Sequence, residues 1–489
     1  MEILHPKKMM LCDQKTLKER DITSLELMEQ AGKAIYEAMQ KEAFFCHANQ
    51  RLIVCGTGNN GGDGLVIAEQ LIQRGQSCDI LMIGDQNRLS LETKSVLMRL
   101  KTTVLWNCDA FDFNQYDVIV DALFGIGLDR PLDSMMCGVI ESINASEVPV
   151  LSVDIPSGIN AETGLASPVA IKAFKTYIVQ FYKFGNLLNQ AKDYHGQSVL
   201  VEAGIKRYDY PADAYLMKAH DYYHTLPKRK HYSHKYHYGS VLVYGHQAAM
   251  LGAPLLSAQA ALRAGTGLVH VALSDRDRQL IYPYDLILDT INRPADWKAI
   301  LTPINTVVFG PGVGKSDAHK EHFQTLLKTD VPMVIDADGL YHLARSMDCL
   351  RKTKTLVMTP HQGEFERFMQ IDKGTMYQDL FKHLRLFDEY PITWVLKGPT
   401  TIIYSQGRAV FSDLGSAALA TAGSGDVLSG LIGSFLARGF EPFNAAQYGV
   451  LVHSLAAKET LPQFGEESLI ASDLIQAIPQ IMQLLKSPQ

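Results

Sequence analysis

Residues 51–70 read RLIVCGTGNNGGDGLVIAEQ and decide the fold class of the chain. The apolar run Arg51–Cys55 predicts a strand, and the apolar stretch after the glycines predicts a helix. Between them, glycines at positions 56, 58 and 61 satisfy the pattern GxGxxG, which permits a tight turn and close backbone approach to a phosphate at a helix N-terminus. A strand, a glycine loop and a helix in this order are typical of an open α/β sheet.

Three polar side chains, Asn59, Asn60 and Asp63, lie inside this glycine loop. A plain dinucleotide-binding loop does not need them, so they indicate that the loop grips polar ligand atoms or an ion as well as a phosphate. The alternative is a tight turn in which Asn and Gly tolerate left-handed backbone angles. Five glycines and three polar groups exceed what a turn requires, and we therefore favour a binding loop.

Short apolar runs that end in Gly- or Asp-rich turns alternate with amphipathic stretches after a helical segment at 21–43. This alternation predicts mostly parallel sheets flanked by helices. The predicted strands lie at 51–55, 79–83, 118–120, 150–153, 240–244, 268–272, 306–309, 333–335, 356–358, 394–397 and 401–404. A connector rich in Tyr, Pro, Lys and His, 207–237, separates two halves that share no motif. We therefore expect two different domains, 1–218 and 219–489.

The composition excludes several classes of protein. Of the 489 residues, 47% are hydrophobic and 20% are charged, which rules out wholesale disorder. The net charge of −6, without a long basic run or an uninterrupted apolar window, predicts no nucleic-acid partner and no membrane partner. Seven cysteines without a metal-binding spacing, together with a charged N-terminal stretch, predict free thiols in a cytoplasmic protein.

Two further strand ends in the first half carry acidic residues. Asp121 ends one apolar run and Asp154 ends another. In open α/β sheets ligands bind beyond the carboxyl ends of the strands, so both carboxylates and Asn60 are expected at one edge. Either aspartate alone is also a reasonable helix cap. The two together with the glycine loop favour a binding site.

The strongest motif of the second half is TAGSGDVLSGL at 421–431. Its small residues allow close backbone approach, and the following apolar stretch predicts a helix whose N-terminal N–H groups form an anion site. Asp426 at that terminus is expected to be held ionised and to act as a base on a hydroxyl beside a phosphate. The alternative is a helix cap with glycines for packing.

Other strand ends of the second half carry candidate ligand-binding groups. Lys397, in the run KGPTT, suits a phosphate, although a solvated surface lysine is the alternative. The run GPGVG at 310–314 suits close approach of a ligand, and VIDADGL at 334–340 is a further acidic strand end. His361 and Glu364 are candidates to bind ligand or metal-bound water, although a histidine at a strand end is often structural.

Three segments of the first half resemble the YjeF N-terminal domain family, which is the NAD(P)H-hydrate epimerase in many organisms. They are GTGNNGGDG at 56–64, VDALFGIGL at 120–128 and SVDIPSGIN at 152–160. The resemblance implies that Asp154 lies at the reacting nicotinamide. It implies a potassium ion bound by Asn60, Asp121 and Ser157, whose oxygen ligands suit a hard cation. It implies contacts to the hydrated cofactor from Asn59, Asn60, Gly61, Gly62, Asp63, Gly125, Ile126, Gly127, Leu128, Asp129, Arg130, Pro131 and Asp154.

The second half resembles the ribokinase-like carbohydrate-kinase family, in its ADP- or ATP-dependent NAD(P)H-hydrate dehydratase branch. The segments that carry the resemblance lie at 238–269, 310–314, 334–340, 359–365, 395–402 and 420–430. The resemblance implies contacts to the hydrated cofactor from Ala253, Gly314, His361 and Asp426. It implies that ADP or ATP with Mg²⁺ is held by Lys397, Gly398, Pro399, Thr400, Thr401 and Gly425. Gln362 and Ser416 depart from the family pattern, which often has Pro and Asn there, and these departures bear on nucleotide preference.

The two resemblances predict an α/β protein with an N-terminal Rossmann-like three-layer αβα domain and a C-terminal ribokinase-like αβα domain. The implied function is repair of the hydrates NADHX and NADPHX. The first domain would interconvert the R and S hydrates at C6, and the second would dehydrate the S hydrate with ADP or ATP. A homo-oligomer is expected. The alternative is a small-molecule kinase, acting on a vitamin or sugar, with a non-catalytic N-terminal binding domain.

Overall fold

The computed structural model describes residues 1–107, 111–128, 130–245, 250–273, 284–291 and 293–486. The chain divides into two compact units, Met1–Ala214 and Tyr215–Gln489. Asp129, one of the residues implied to bind the hydrated cofactor, lies outside the described residues. Each unit is built on a mostly parallel sheet with helices, which confirms the predicted α/β fold class.

The first unit alternates strands and helices along most of its length. Its helices are α1 (Pro6–Arg20), α2 (Ser24–Met39), α3 (Ala43–Cys46), α4 (Asn59–Gln73), α5 (Leu91–Arg99), α6 (Ser134–Ala145) and α7 (Ala191–His195). Its strands are β1 (Glu2–Leu4), β2 (Arg51–Cys55), β3 (Asp79–Met82), β4 (Val104–Trp106), β5 (Val118–Ala122), β6 (Val150–Val153), β7 (Lys175–Val179), β8 (Tyr182–Lys183) and β9 (Gln197–Val201).

A parallel sheet in the order β4-β3-β2-β5-β6-β7-β9 forms the centre of the first unit. Side chains of β2 alternate between two cores: Ile53 and Cys55 face the core shared with α2 and α4, whereas Leu52 and Val54 face the core shared with α6. Helices therefore cover both faces, as in a three-layer αβα arrangement. Because β2 pairs with β3 on one side and with β5 on the other, the carboxyl ends of β2 and β5 flank a topological switch point.

The second unit repeats this alternation with different elements. Its strands are β10 (Ala214–Leu216), β11 (Ser240–Tyr244), β12 (Leu268–Leu273), β13 (Ile287–Thr290), β14 (Thr306–Phe309), β15 (Met333–Ile335), β16 (Leu356–Met358), β17 (Ile392–Leu396), β18 (Thr401–Ser405) and β19 (Arg408–Ser412). Its helices are α8 (Gly252–Arg263), α9 (Trp297–Ile300), α10 (Lys320–Leu327), α11 (Asp338–Ala344), α12 (Gln362–Met369), α13 (Leu380–Arg385), α14 (Ser424–Ala437), α15 (Pro442–Ser468) and α16 (Ala471–Leu485).

The sheet of the second unit runs parallel through β13-β12-β11-β14-β15-β16-β17 and continues into the antiparallel pairs β17-β18 and β18-β19. The carboxyl ends of β14, β15, β16 and β17 therefore meet at one edge. Helix α14 begins at this edge and packs closely against α8. A side chain at Gly430 would clash with the backbone carbonyl of Ser257, so only glycine permits this approach.

Six of the predicted strands coincide with observed ones. These are 51–55, 150–153, 240–244, 306–309, 333–335 and 356–358. The strand predicted at 394–397 is β17, but the predicted bounds are wrong, because β17 begins at Ile392 and ends at Leu396, just before Lys397. The helix predicted at 21–43 is α2, which begins at Ser24 because Thr23 and Glu26 cap each other, with N–H to oxygen distances of 2.7 Å and 3.2 Å. In the part of the chain that the structure describes, no helix has the length and apolar character to cross a membrane.

Candidate active sites

The glycine loop after β2 brings the start of α4 to the carboxyl edge of the first sheet. The Gly56 N–H donates to the carbonyl of Ala122 at 3.0 Å, which ties the loop to β5. A side chain at Gly56 would clash with the carbonyl of Leu123, so the loop and the end of β5 approach this closely only with glycine there. The N-terminal N–H groups of α4 therefore lie at the same edge as the residues that follow β5.

A cavity of about 640 Å³ opens at this edge. The predicted residues that line it are Asn59, Asn60, Asp63, Gly125, Ile126, Gly127, Leu128 and Asp154. Gly61 and Gly62 are instead buried in the first turns of α4. Arg130 and Pro131 line a smaller cavity of about 90 Å³, which shares Leu128 with the larger one. The structure thus brings most of the predicted residues of the first unit to one cavity.

Asp154 follows β6 directly and is held by a buried lysine. Its backbone φ is 65°, in the left-handed region, and strain of this kind concentrates at functional sites. Its Oδ1 accepts hydrogen bonds from the Val179 N–H at 2.9 Å and from the ammonium of Lys183, which is 1% exposed. Asn186 fixes the main chain by donating to the Asp154 carbonyl at 3.0 Å. The carboxylate therefore reaches the cavity as one half of a buried ion pair.

Asp121, in β5, is fully buried and accepts several hydrogen bonds. Ser157 donates its hydroxyl to Oδ1 at 2.5 Å and its N–H to Oδ2 at 2.9 Å, and Ser152 donates to Oδ2 at 2.8 Å. Burial raises the pKa of Asp121, and these hydrogen bonds oppose the rise. The Ser157 hydroxyl also accepts from the Phe124 N–H at 2.9 Å, so the network fixes the loop that follows β5.

The residues implied to hold potassium offer only oxygen donors, which are an amide of Asn60, the carboxylate of Asp121 and the hydroxyl of Ser157. The Asn60 amide oxygen borders the loop after β5, since a Cβ at Gly125 would lie 3.1 Å from it. The amide nitrogen of Asn60 is buried without a hydrogen-bond partner. An all-oxygen set with one carboxylate fits a hard cation. No cluster of three His, Cys, Asp or Glu side chains suited to a metal occurs among the described residues.

Sequence reasoning missed two charged residues of this cavity, Asp13 on α1 and Lys183 on β8. Burial raises the pKa of Asp13 to about 7, while Lys183 lowers it and Asp154 raises it further. Burial also raises the pKa of Asp63 well above its usual value. Both omissions had a signal in the sequence. Asp13 follows the buried Met9 by four positions on one helix face, and Lys183 interrupts the apolar run VQFYKFG.

In the second unit, Lys397 and Asp336 form an ion pair beside the start of α14. Nζ of Lys397 lies 2.8 Å from Oδ1 of Asp336, which is 1% exposed. A Cβ at Gly425 would lie 3.3 Å from Lys397 Nζ and 3.9 Å from Asp336 Oδ2. Burial opposes the charged form of Lys397, but surrounding carboxylates, led by Asp336, raise its pKa above the usual value. The structure thus brings together Lys397, Gly425 and Asp426, and it adds Asp336 as the lysine's partner.

Asp426 differs from the expectation that the helix N-terminus holds it ionised. Burial, together with repulsion from Asp336, raises the pKa of Asp426 to about 7, and attraction to Lys397 offsets only part of the rise. A helix N-terminus stabilises a carboxylate by about 0.3–1 kcal/mol, which is less than burial in apolar surroundings costs. Near neutral pH the Asp426 carboxyl is therefore divided between its protonated and ionised forms.

His361 caps α12. Its Nδ1 accepts the N–H of Glu364 at 3.3 Å, and the Glu364 carboxylate accepts the N–H of His361 at 2.9 Å. Nε2 of His361 lies 3.5 Å from the same carboxylate. The Lys397 N–H donates to the carbonyl of Pro360 at 2.9 Å, which places this cap next to the Lys397 strand end. The ring of His361 therefore has a structural role as a cap while it lies at the edge that carries Lys397.

The GPGVG run after β14 is hydrogen-bonded to α11. The Gly314 N–H donates to Oδ2 of Asp338 at 3.1 Å, and the Gly314 carbonyl accepts from Nε2 of His342 at 2.8 Å. Burial lowers the pKa of His342, so its ring is neutral and donates through one nitrogen. Because Asp338 and His342 are four residues apart on one helix, both sides of Gly314 are held by the same helix face.

The remaining predicted residues also lie at the carboxyl edge of the second sheet. Ala253 is in the first turn of α8, which packs against the GPGVG run. Gly398, Pro399 and Thr400 form the turn between β17 and β18, and Thr401 begins β18. Gly398 and Pro399 are exposed, whereas Thr400 is buried.

Two family models match the chain. YjeF-related protein N-terminus matches residues 24–185, and NAD(P)H-hydrate dehydratase matches residues 241–480. A bifunctional NAD(P)H-hydrate repair enzyme of Coxiella burnetii is 34% identical over 466 residues, which cover 93% of this chain and 94% of that protein. The chain belongs to the family of bifunctional NAD(P)H-hydrate repair enzymes.

A second member of this family of repair enzymes, from Escherichia coli, is 30% identical over 482 residues, which cover 94% of this chain and 90% of that protein. Among solved structures, a ribokinase-like superfamily protein of Enterococcus faecalis matches with a TM-score of 0.51 and 21% identity, over 57% of this chain and 99% of that chain. At that identity the likeness shows the fold alone, and it confirms the predicted ribokinase-like fold. Both family resemblances drawn from the sequence are confirmed.

Proposed function

We propose that the first unit interconverts the R and S hydrates of NADH and NADPH at C6, and that the second unit dehydrates the S hydrate with ADP or ATP. One observation carries the proposal. Each unit places a Lys–Asp ion pair at the carboxyl edge of its own parallel sheet, beside a second aspartate whose pKa burial raises to about 7. Two separate proton-transfer centres in one chain fit a family that carries two activities.

In the first unit, Asp154 is the group that moves a proton at C6. The hydroxyl on C6 sits next to the ring nitrogen, so inversion there requires protons to move on and off oxygen. Lys183 pairs with the Asp154 carboxylate and holds it at the cavity. Asn59, Asn60 and Asp63 bind polar groups of the dinucleotide, and the N-terminus of α4 faces its phosphates.

The other residues implied to bind the hydrated cofactor form the wall after β5. They are Gly125, Ile126, Gly127, Leu128, Arg130 and Pro131. Gly61 and Gly62, in the first turns of α4, let the helix start approach the cofactor closely. A potassium ion held by Asn60, Asp121 and Ser157 would supply fixed positive charge beside the anionic substrate.

In the second unit, Asp426 takes the proton of the C6 hydroxyl as that oxygen attacks the terminal phosphate of the nucleotide, and the bond to that phosphate breaks to release the nucleotide with one phosphate fewer. Departure of phosphate from C6, with loss of a proton from C5, then forms the C5=C6 bond of the dihydronicotinamide. Lys397 and the N–H groups at the start of α14 hold the anionic charge. Magnesium, which binds phosphates with one or two carboxylates, would use Asp336 at this position.

The remaining contacts of the second unit follow the edge of the sheet. The hydrated cofactor contacts Ala253, Gly314 and His361. The nucleotide contacts Gly398, Pro399, Thr400, Thr401 and Gly425.

The competing function is a vitamin or sugar kinase with a non-catalytic first domain. The two functions differ in product, because a kinase releases a stable phosphorylated compound and the repair enzyme releases inorganic phosphate. The polar side chains that a non-catalytic domain would not need, Asn60, Asp63 and Asp154, are all present and line one cavity. They favour a catalytic first unit.

We further propose that the protein works in the cytoplasm on both NADHX and NADPHX. In support, none of the six cysteines that the structure describes forms a disulfide. The homo-oligomeric state stays a prediction.

The test uses the full chain and a mixture of R- and S-NADHX with Mg²⁺ and either ADP or ATP. Reduced-nicotinamide absorbance should return in two phases, a fast phase as the S hydrate is dehydrated and a slow phase as the R hydrate is first epimerised. Asp154→Asn should remove only the slow phase, whereas Asp426→Asn should remove both. No recovery with either nucleotide, or a stable phosphorylated product, would refute the proposal.

A further inference from the structure

The larger cavity of the first unit is lined by more acidic side chains than its single lysine can neutralise. Among the described residues that line it, the charged ones are Asp13, Asp63, Asp154 and Lys183. Lys183 pairs directly with Asp154. If Asp13 and Asp63 were both ionised as well, the cavity would present two uncompensated negative charges to an anionic dinucleotide. At least one of these two carboxyls is therefore expected to be neutral when the substrate binds.

Asp13 is distinguished from Asp154 by its hydrogen bonding. Its Oδ1 is buried and has no hydrogen-bond partner, whereas Oδ1 of Asp154 accepts from Val179 and Lys183. A buried oxygen without a partner is costly unless a ligand completes it. Because Asp13 lines the same cavity as Asp154, a group of a bound substrate is in a position to supply the missing partner.

Helix α1 holds Asp13 in a defined position. The His5 N–H donates to Asp213 at 2.9 Å, and the ammonium of Lys8 donates to the same carboxylate at 2.6 Å. Thr16, one turn beyond Asp13, is buried and accepts the N–H of Lys206 at 3.1 Å. The helix is thus anchored on both sides of Asp13, although it lies before the span that the family model covers, residues 24–185.

We propose that Asp13 is a second catalytic residue of the epimerase, the acid that protonates the C6 hydroxyl as it leaves. The C6–O bond breaks, the oxygen departs as water with the proton of Asp13, and the lone pair of the ring nitrogen forms a C6=N bond. A water then adds to the other face of C6 and gives its proton to Asp154. One water leaves and one enters, and the reverse reaction uses the same two aspartates with their roles exchanged.

The alternative acid is Asp63, and its environment argues against it. Burial raises the pKa of Asp63 well above its usual value, so this carboxyl releases its proton less readily than an ordinary aspartic acid. The pKa of Asp13 is raised by burial to about 7, where a carboxyl both gives and regains a proton. Asp63 is thus better suited to donate a lasting hydrogen bond to the substrate.

The assignment rests on the proposed epimerase function, and the two-phase NADHX assay separates the two claims. Asp13→Asn should slow the R-hydrate phase by about 10²-fold or more and leave the S-hydrate phase unchanged. Glu19→Gln, which removes an exposed carboxylate from the same helix outside the cavity, is the matched control and should change neither phase. A full chain without any enzymatic R-hydrate phase would refute the epimerase itself, whereas a normal phase in Asp13→Asn would refute only the role of Asp13.

The pH profile tests the role without relying on a single variant. In the unsubstituted protein the R-hydrate phase should slow about tenfold for each pH unit above about 7, because the acid must be protonated to act. Asp13→Glu keeps a carboxyl and should still show this decrease above pH 7, although at a lower rate throughout. Asp13→Asn should not show the decrease. An R-hydrate phase that does not slow above pH 7, or a decrease that survives Asp13→Asn and disappears in Asp63→Asn, would overturn the assignment.

Discussion

Replacing Asp426 by Asn should stabilise the second unit while it removes the dehydratase activity. Asp426 lies in the first turn of α14, and burial and Asp336 raise its pKa to about 7. A carboxyl whose pKa is raised by folding destabilises the folded state at every pH above its unfolded pKa, and the cost is complete above its folded pKa. Asn has nearly the same shape and does not ionise, so it relieves that cost and at the same time removes the base.

The magnitude follows from the pKa difference. A pKa of about 7 against an ordinary value of 3.8 corresponds to roughly 4 kcal/mol, at about 1.4 kcal/mol for each pH unit. Asp426 keeps some contact with solvent, so we expect a gain in the free energy of unfolding of about 2–4 kcal/mol, or roughly 5–10 °C in Tm. The gain should be complete above pH 7 and should disappear as the pH falls towards 4, where the aspartate is protonated in both the folded and unfolded states.

The assay follows the fluorescence of tryptophan during urea or thermal unfolding of the full chain. The three tryptophans are Trp106 in the first unit and Trp297 and Trp394 in the second, both of the latter 1% exposed. A Trp106→Phe background therefore reports unfolding of the second unit alone. In the same protein, Asp426→Asn should lower the rate of S-NADHX dehydration by about 10²–10⁴-fold.

Asp336→Asn is the matched control because the same substitution at the neighbouring carboxylate should have the opposite effect on stability. Asp336 is the partner of Lys397 at 2.8 Å, so its loss removes the hydrogen-bonded counter-charge of a largely buried ammonium. We expect the free energy of unfolding to fall by about 3–5 kcal/mol. The reasoning is refuted if Asp426→Asn destabilises the unit at pH 8, or if its gain is the same at pH 8 and pH 4.5.

Two further predictions use the same NADHX assay. Lys183→Met leaves the Asp154 carboxylate buried without its cation, so the free energy of unfolding of the first unit should fall by about 3–5 kcal/mol. The R-hydrate phase should be lost while the S-hydrate phase continues. A normal R-hydrate phase would show that the ion pair is not needed for epimerisation. His342→Gln removes the ring whose Nε2 donates a hydrogen bond to the Gly314 carbonyl at 2.8 Å. KM for S-NADHX should therefore rise several-fold with kcat nearly unchanged. An unchanged KM would show that Gly314 does not contact the substrate.

Much of the fold could be predicted because parallel strands buried on both faces are short, continuous apolar runs. β2 and β11 have all five residues buried, and the sequence gives both of their boundaries. Edge strands do not carry this signal. β4 and β13 have no fully buried residue, and β8 has only two residues, so their patterns resemble those of loops. Their positions come from pairing with neighbouring strands, which a local pattern does not encode.

The candidate sites could be predicted where their residues follow a strand, as Asp154 and Lys397 do, or lie near the end of an apolar strand, as Asp121 does. Asp13 escaped because it comes from a helix that is distant in sequence from the glycine loop. The charge of Asp426 could not be predicted from the motif, because the helix N-terminus is visible in the sequence whereas the burial that opposes it is a property of the packed unit. The same holds for Lys183, whose partner lies 29 residues earlier in the chain.

Asp13 and Asp426, whose pKa values burial raises to about 7, give the two activities opposite dependences on pH. Asp13 acts as an acid and must be protonated, so the R-hydrate phase should slow above about pH 7. Asp426 acts as a base and must be ionised, so the S-hydrate phase should slow below about pH 7. Bound phosphates are anionic and raise both pKa values. Both pH profiles therefore move to higher pH, but their slopes remain opposite. The rates of both phases, measured from about pH 5.5 to about pH 9, test these two roles. If both rates increase with pH, or both decrease, one of these aspartates does not have its assigned role.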